Sequence, residues 1–390
     1  MPKPLKILLI IETSRTYGRK LLRGIAQYAL LNGPWEIERQ APFYLQHSQA
    51  VEAMGNLSLK HAMSADGIIM REQKNIEPLI KSGIPIVIAC YSTEDFDVPT
   101  IRTDDEGIAA AAAKYYLERG YESFAFVGYD GMFWSDNRKT AFARILEEAG
   151  YKCEIYHQPK IKKQRVWEQE QKTLSEWLKK LPKPVALMAC NDDRAQQVLA
   201  TCRLAGLAVP EEVAILGVDN DEFLCTLMHP PLSSIGLSNE IAGYEAASVL
   251  DRMIHGEKLA KTIIPVHVTN IVTRQSSDIL AIRDPVVAQS VKFIREHVRE
   301  PIQIDNVLGN VAISRRSFYE KFKQTMNSSV YRYIKKVRVE HIEHLLLETE
   351  MTISQIAYHM GFNSDDHIAS YFRSLKGVSP HAFRASRRLR

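Results

Sequence analysis

Long apolar runs, paired cysteines and catalytic signatures are all missing from this sequence of 390 residues. Nothing in it approaches the ~18–20 consecutive apolar residues that a membrane-spanning helix needs. The first apolar run, Ile7–Ile11, is closed by Glu12, is too short for the core of a secretory signal, and is followed by no Ala-x-Ala-like cleavage site. A cytoplasmic protein is therefore expected. The cysteines (Cys90, Cys153, Cys190, Cys202 and Cys225) are odd in number and widely spread, with no Cys-x-x-Cys pair. This excludes a disulfide framework and a zinc-finger pattern. There is no Gly-x-Ser-x-Gly, no Walker loop and no Gly-x-Gly-x-x-Gly, and His157, His229 and His255 stand at no spacing from carboxylates that suggests a metal site. The expectation is a non-enzyme with no catalytic residue, no metal and no cofactor.

Net charge is scant as well: 50 Lys and Arg against 46 Asp and Glu leave +4. A charged fraction of 25% and a hydrophobic fraction of 45% exclude a disordered or fibrous chain, and the length calls for two or three domains. The distribution of charge says more than its sum. Pro285 to Arg390 holds 17 basic and 10 acidic residues, net +7, whereas the preceding 284 hold 33 and 36, net −3. A basic end of this kind points to nucleic acid.

From residue 5 to about 270, short apolar runs alternate with amphipathic stretches. Strands are predicted at Leu5–Ile11, Trp35–Arg39, Gly67–Met70, Ile84–Ala89, Ser123–Val127, Cys153–His157, Val185–Ala189, Val213–Gly217 and Ile263–Val268. Helices are predicted at Gly18–Leu31, Glu106–Arg119, Asp136–Ala149, Arg165–Leu181, Asp193–Ala205 and Glu240–His255. Such alternation means parallel sheets covered by helices, and two sheets are favoured over one because a single core stops growing at this length. The rhythm ends in the polar segment around Thr269–Pro285, after which every periodic segment is helical.

That tail contains a repeat. Ser314 and Phe322 recur fifty positions later as Ser364 and Phe372, and Ser329 recurs as Ser379. Each serine precedes a helical stretch whose free backbone N–H groups it can cap. Short helical patterns at Ile304–Val311 and Ile353–Met360 precede Arg315–Thr325 and Asp365–Lys376, with a long helix over Tyr331–Glu348 between them. Apolar stripes alone would favour a dimerisation bundle; the duplicated capped turn together with net +7 reverses that preference toward a tandem helix-turn-helix. Phe322 and Phe372 read as core anchors.

Thr352–Phe362 followed by Tyr371–Arg384 is similar to the signature of the AraC-family DNA-binding domain. The chain departs from it at Ile342, where the family carries a small residue, and at Asp365-Asp366, which replace commoner polar residues. Asp66–Ile69, Ile84–Val87, Asp104–Gly107, Leu187–Asp193, Val209–Asn220 and Pro230–Ile235 resemble the ligand-binding domain of LacI-type repressors and periplasmic sugar-binding proteins. The N-terminal reader of those repressors has no room before Leu5, which places the DNA-binding function at the other end. Sensor first and reader last resembles the order found in xylose-operon regulators. The resemblance implies an α/β two-lobed periplasmic-binding-protein-like sensor with two parallel sheets at 1–275. A linker at 276–285 and an all-α tandem helix-turn-helix domain at 286–390 would follow. It further implies a sugar-responsive transcriptional regulator whose partners are double-stranded DNA, a sugar such as xylose, a second copy of the chain in a homodimer and, for an activator, RNA polymerase, but no membrane. The alternatives are another pentose, a hexose or a sugar acid as ligand, or a sugar-binding protein without a regulatory role.

Ligands of open parallel sheets bind outside the carboxyl ends of strands. Glu12 and Tyr17 follow the first strand, Tyr129, Asp130, Phe133 and Trp134 follow Val127, Asn191 and Asp192 follow Ala189, and Asp219 and Asn220 follow Gly217. Carboxylates and amides suit sugar hydroxyls, and an aromatic suits the apolar ring face. The resemblance adds Arg138 and Asp104 and reinforces Asn191, Asp192 and Asp219. Asp192 could instead cap the helix that follows it. On the DNA side, the first turns of a recognition helix enter the major groove. The candidates are Arg315, Arg316, Tyr319 and Glu320 in the first repeat and Asp365, His367 and Ser370 in the second, with Asp365-Asp366 open to a capping role. Lys321, Lys323, Arg373, Lys376 and Arg384–Arg390 suit phosphates. Hinges between the lobes are expected near Asp130, Ser234–Leu237 and Thr262.

Overall fold

The computed structural model describes residues 4–39, 62–73, 76–89, 96–160, 167–259, 261–279, 282, 284–326, 328–349 and 351–388. Two compact units divide the chain: one takes Met1–Glu118, Glu122–Val209 and Ala214–Asp278, the other Ile279–Arg390 with the short segments Arg119–Tyr121 and Pro210–Val213.

Among the described residues, twelve strands of the first unit form two sheets. The first sheet takes β1 (Leu5–Ile10), β2 (Trp35–Arg39), β3 (Gly67–Arg71), β4 (Ile86–Ala89), β5 (Thr100–Thr103) and β11 (Ile263–Val266) in the order β11-β5-β4-β3-β1-β2. Its registered pairs are all parallel. The second takes β6 (Phe124–Val127), β7 (Cys153–Tyr156), β8 (Val185–Ala189), β9 (Val213–Asp219), β10 (Ser233–Leu237) and β12 (Val268–Val272) in the order β12-β10-β9-β8-β6-β7. There β12 runs antiparallel on the edge. Continuous apolar runs such as Val185–Ala189, buried along its whole length, are what a strand covered on both faces requires.

Helices cover both faces. Around the first sheet lie α1 (Thr16–Asn32), α2 (Glu77–Lys81) and α8 (Asn239–Ile254); around the second lie α3 (Asp105–Leu117), α4 (Phe133–Glu148), α5 (Trp167–Lys180), α6 (Asp192–Ala205) and α7 (Glu222–Leu227). Helices α1 and α8 cross at backbone contact. A Cβ on Gly24 would meet Glu240 O at 1.9 Å, and one on Gly243 would meet Leu21 O at 2.1 Å.

The chain crosses between the sheets at Asp104 (β5 to α3), at Ser238 (β10 to α8) and at His267 (β11 to β12). These crossings are hydrogen-bonded to one another. Asp104 N donates to Val266 O at 3.0 Å and Ser238 N to His267 O at 2.9 Å, while His267 N donates to Ser238 Oγ at 2.9 Å. Two of the expected hinges therefore lie within a few residues of a crossing. The third does not: Asp130 stands between β6 and α4 inside the second lobe, where its carboxylate accepts from Gln158 N at 2.8 Å. The predicted strand Ile263–Val268 is two strands in different sheets, divided at His267.

In the second unit, α9 (Pro285–Glu296), α10 (Ile304–Leu308), α11 (Arg315–Met326), α12 (Val330–Glu348), α13 (Ile353–His359), α14 (Asp365–Lys376) and α15 (Pro380–Arg388) form the tandem repeat. All four serines cap: Ser314, Ser329, Ser364 and Ser379 accept from the backbone N–H of Ser317, Arg332, His367 and Ala382 at 3.2–3.3 Å. Thr352 and Gln355 form a reciprocal capping box on α13. Two apolar cores result. Phe318 and Phe322 fill the first with Val287, Val291, Ile294 and Val307, and Phe372 fills the second with Ile356, Ile368 and Met360. Helix α12 serves both, giving Val330, Ile334 and Val337 to one and Val339, Ile342 and Leu346 to the other.

Candidate functional site

The topological switch points, where ligands gather in sheets of this order, fall between β1 and β3 and between β6 and β8. Asp219 ends β9 beside the second of these. Its backbone has φ +102°, and Asn220 follows at φ +46°. Both lie in a region that L side chains rarely adopt, a strain characteristic of binding sites. Burial pushes the Asp219 carboxyl up to about 6, while the Arg138 guanidinium nearby opposes the shift.

Arg138, on α4, is itself buried. Its Nε donates to Asp105 Oδ1 at 2.9 Å and an Nη to Cys190 O at 2.6 Å, and the guanidinium lies 5.2 Å from the centre of the Trp134 ring. Asp105 carries a raised pKa through its own burial, which Arg138 partly offsets. Trp134, Arg138 and Asp219 thus share one neighbourhood, with a cation, a carboxyl and a ring face. Asn191 joins them at the start of α6, where its Oδ1 caps the helix by accepting from Arg194 N at 2.9 Å.

Asp192 is placed differently. Its carboxyl faces into the lobe: Oδ1 accepts from Ser234 Oγ at 2.5 Å, and Oδ2 from Asp221 N at 2.8 Å. Burial, with Asp219 adding to it, pushes this carboxyl up to about 8. Gly217 is required by the approach, since a Cβ there would stand 2.2 Å from Asp192 Oδ1. Asp192 is therefore a tie that shapes the β9–α7 turn. Asn220 belongs to the same tie, its N donating to Ser234 Oγ at 3.0 Å and its Oδ1 accepting from Arg274 at 3.0 Å. Asp104 lies at the hinge, where Oδ1 caps α3 through Gly107 N at 2.8 Å.

From the first lobe, Glu12 follows β1, accepts from Ser14 Oγ and pairs with Arg71 at 3.3 Å; Tyr17 is half-buried in the first turn of α1. Sequence reasoning passed over Arg15, Arg19 and Lys20 in that segment. Helix α1 has no acidic residue in its first turn, so these cations oppose their own helix dipole. That mismatch was a legible signal that they serve something else.

In the second unit, Arg316 and Glu320 pair along α11 at 3.1 Å with the Arg316 side chain 90% exposed. Lys323, His367, Ser370 and Arg373 are exposed, and Tyr319 is half-buried against the first core. Arg315 pairs with Asp305 of α10, and Asp365 accepts from Ser354 Oγ of α13. The first residue of each second helix is thus tied to the helix before it. Several cations expected at phosphates have partners inside the domain. Lys321 pairs with Asp284 at 2.6 Å, Lys376 with Glu343, and Arg384 donates to Leu346 O at 2.8 Å and Met351 O at 2.6 Å at the end of α12. The Arg387–Arg390 side chains lie outside the described residues.

Comparison with known proteins matches residues 113–277 to the periplasmic binding protein-like domain and 309–386 to a helix-turn-helix domain. Along 97% of the chain it is 29% identical to the xylose operon regulatory protein of Haemophilus influenzae, spanning 98% of that protein. It is 27% identical to the one from Escherichia coli, with 97% of this chain and 96% of that one covered. A solved structure described as the xylose-binding transcription activator xylR superposes with a TM-score of 0.81 at 26% identity, over 99% of both chains.

Proposed function

We infer that this chain, which belongs with the xylose operon regulators in joining a periplasmic-binding-protein-like sensor to an AraC-type reader, is a sugar-responsive, sequence-specific transcriptional regulator of xylose-utilisation genes. The observation that carries the reading is the presence, in one chain, of polar side chains gathered at the carboxyl ends of parallel strands and of two capped helix-turn-helix units. Among the described residues no group of His, Cys, Asp and Glu could hold a metal, and no helix is long and apolar enough to cross a membrane.

The sugar is D-xylose. Its hydroxyls donate to Asp219 and Asn191, Arg138 donates to its ring or hydroxyl oxygens, and Trp134 covers the apolar face. Glu12 and Tyr17 meet it from the first lobe. Closure turns the lobes about Asp104, Ser238 and His267, and only tighter binding to the closed form can drive that turn. Two copies of the chain read two half-sites, Arg316 contacting guanine edges and Lys323 and Arg373 contacting phosphates. The protein acts in the cytoplasm, and RNA polymerase is the further partner of an activator.

The test is calorimetric titration with D-xylose, L-arabinose, D-ribose, D-glucose and D-glucuronate, followed by a mobility shift on the DNA upstream of xylose genes with and without the sugar that binds. Xylose binding that changes the shift supports the reading. Selective binding of another of these sugars would replace xylose, and sugar binding with no DNA affinity would reduce the chain to a binding protein.

A further inference from the structure

Three cations at the start of α1 face two acids and a backbone carbonyl of the other lobe. Arg15 Nε lies 2.6 Å from Asp193 Oδ2, Arg19 lies 2.7 Å from Asp221 Oδ2, and Lys20 Nζ reaches Asn220 O at 3.4 Å. Asp193 stands in the first turn of α6 and Asp221 caps α7, where helix dipoles favour acids. The cations have no such justification in α1 itself. Arg19 is further fixed by donating to Ser14 O at 2.8 Å, so its reach across the cleft is aimed. The backbone N of Asp221 donates to the buried Asp192, which anchors the acidic side in the same way.

We propose that Arg15, Arg19 and Lys20 are positioning residues that clasp Asp193, Asp221 and the Asn220 carbonyl and so set the closing equilibrium of the sensor. The proposal rests on the reading of this cleft as the sugar site. Its consequence is that the affinity for an uncharged sugar depends on salt, because closure brings opposite charges together even though the ligand carries none. Salt weakens ion pairs that reach solvent, as these do through Arg15 and Arg19.

The experiment uses the full chain. Hydrogen exchange without sugar, over segments 13–20 and 191–196, reads the clasp directly. R15E and D193K are each expected to raise exchange in both segments, and the double variant R15E/D193K to restore protection. D221N, which keeps the α7 cap but loses the charge, is expected to expose 13–20. Titration with D-xylose at low and high potassium chloride then reads the coupling. Wild-type affinity should weaken by about three- to tenfold with salt, the size such ion pairs support, and the double variant R15Q/R19Q should abolish most of that dependence. If the single reversals leave exchange unchanged, or the double fails to restore it, the clasp is refuted. A salt dependence that persists in R15Q/R19Q also refutes it. If xylose does not bind the wild-type chain, the sugar reading fails while the exchange result still decides the clasp.

Discussion

His267 Nδ1 lies 3.3 Å from Asp104 Oδ2, joining two of the three places where the chain passes from one sheet to the other. The same carboxylate caps α3 through its other oxygen, so one side chain both starts a helix and fastens a hinge. Asp104→Asn keeps an accepting oxygen for the cap, whereas Asp104→Ala removes it. Thermal unfolding should show the alanine variant less stable by about 1 kcal/mol than the asparagine variant. Both should still saturate with xylose in calorimetry; loss of binding in Asp104→Asn would return this residue to the ligand set.

Asp219→Ala should weaken xylose binding by about ten- to a hundredfold, the loss of a hydrogen bond to a charged group. Acid should act in the same direction. With the carboxyl at about 6, lowering the pH through that value protonates it and removes an acceptor, so affinity falls below about pH 6. A flat titration series from about pH 5 to about pH 8 would contradict its role as acceptor.

Asp192 predicts the opposite slope, in stability. The folded state holds a proton up to about pH 8, while the unfolded carboxyl loses it near 3.8. The folded state therefore binds more protons between these values, and stability falls as pH rises from about 4 to about 8. Melting curves across that window should show the decline, and Asp192→Asn should flatten it.

In the reader, Arg316→Ala should cost operator binding about 1–3 kcal/mol and relax sequence preference, while Lys323→Ala should weaken all sequences alike and lower the salt slope by about one. Arg384→Ala should act through stability instead, since its guanidinium holds carbonyls at the end of α12. Mobility shifts paired with thermal melts separate the two classes.

Ile342 departs from the small residue common at its position in AraC-type domains, yet it is fully buried in the second core. Ile342→Ala should lower the stability of this domain by about 2–5 kcal/mol, as for other cavities left by large-to-small changes. A change below about 1 kcal/mol would mean that the core relaxes to the family's packing.

Most of the architecture was legible because local chemistry and tertiary need agree. The serines of the repeat cap the helices they precede, and the buried strands read as apolar runs. The strands that escaped, β5, β10 and β12, are polar or glycine-bearing segments such as Thr100–Thr103 and Ser233–Leu237. Each abuts a crossing, where backbone pairing outweighs side-chain pattern. For the same reason Ile263–Val268 looked like one strand: its period runs through His267, and only the sheets reveal the division. Within the cleft, spacing could find acids after strands but could not tell Asp219 from Asp192. That distinction depends on Ser234 and Asp221, 42 and 29 residues away in sequence.

The crossing of α1 over α8 at Gly24 and Gly243 leaves no side chain between the two backbones at those points. Two helices so closely seated have little freedom to slide, and they turn together as a single stiff bar. One end of that bar carries Arg15 and Arg19 at the mouth of the cleft; the other helix begins beside Ser238, at the pivot. Any bulk added at either glycine would therefore prise the two helices apart at the point where they join the mouth to the pivot.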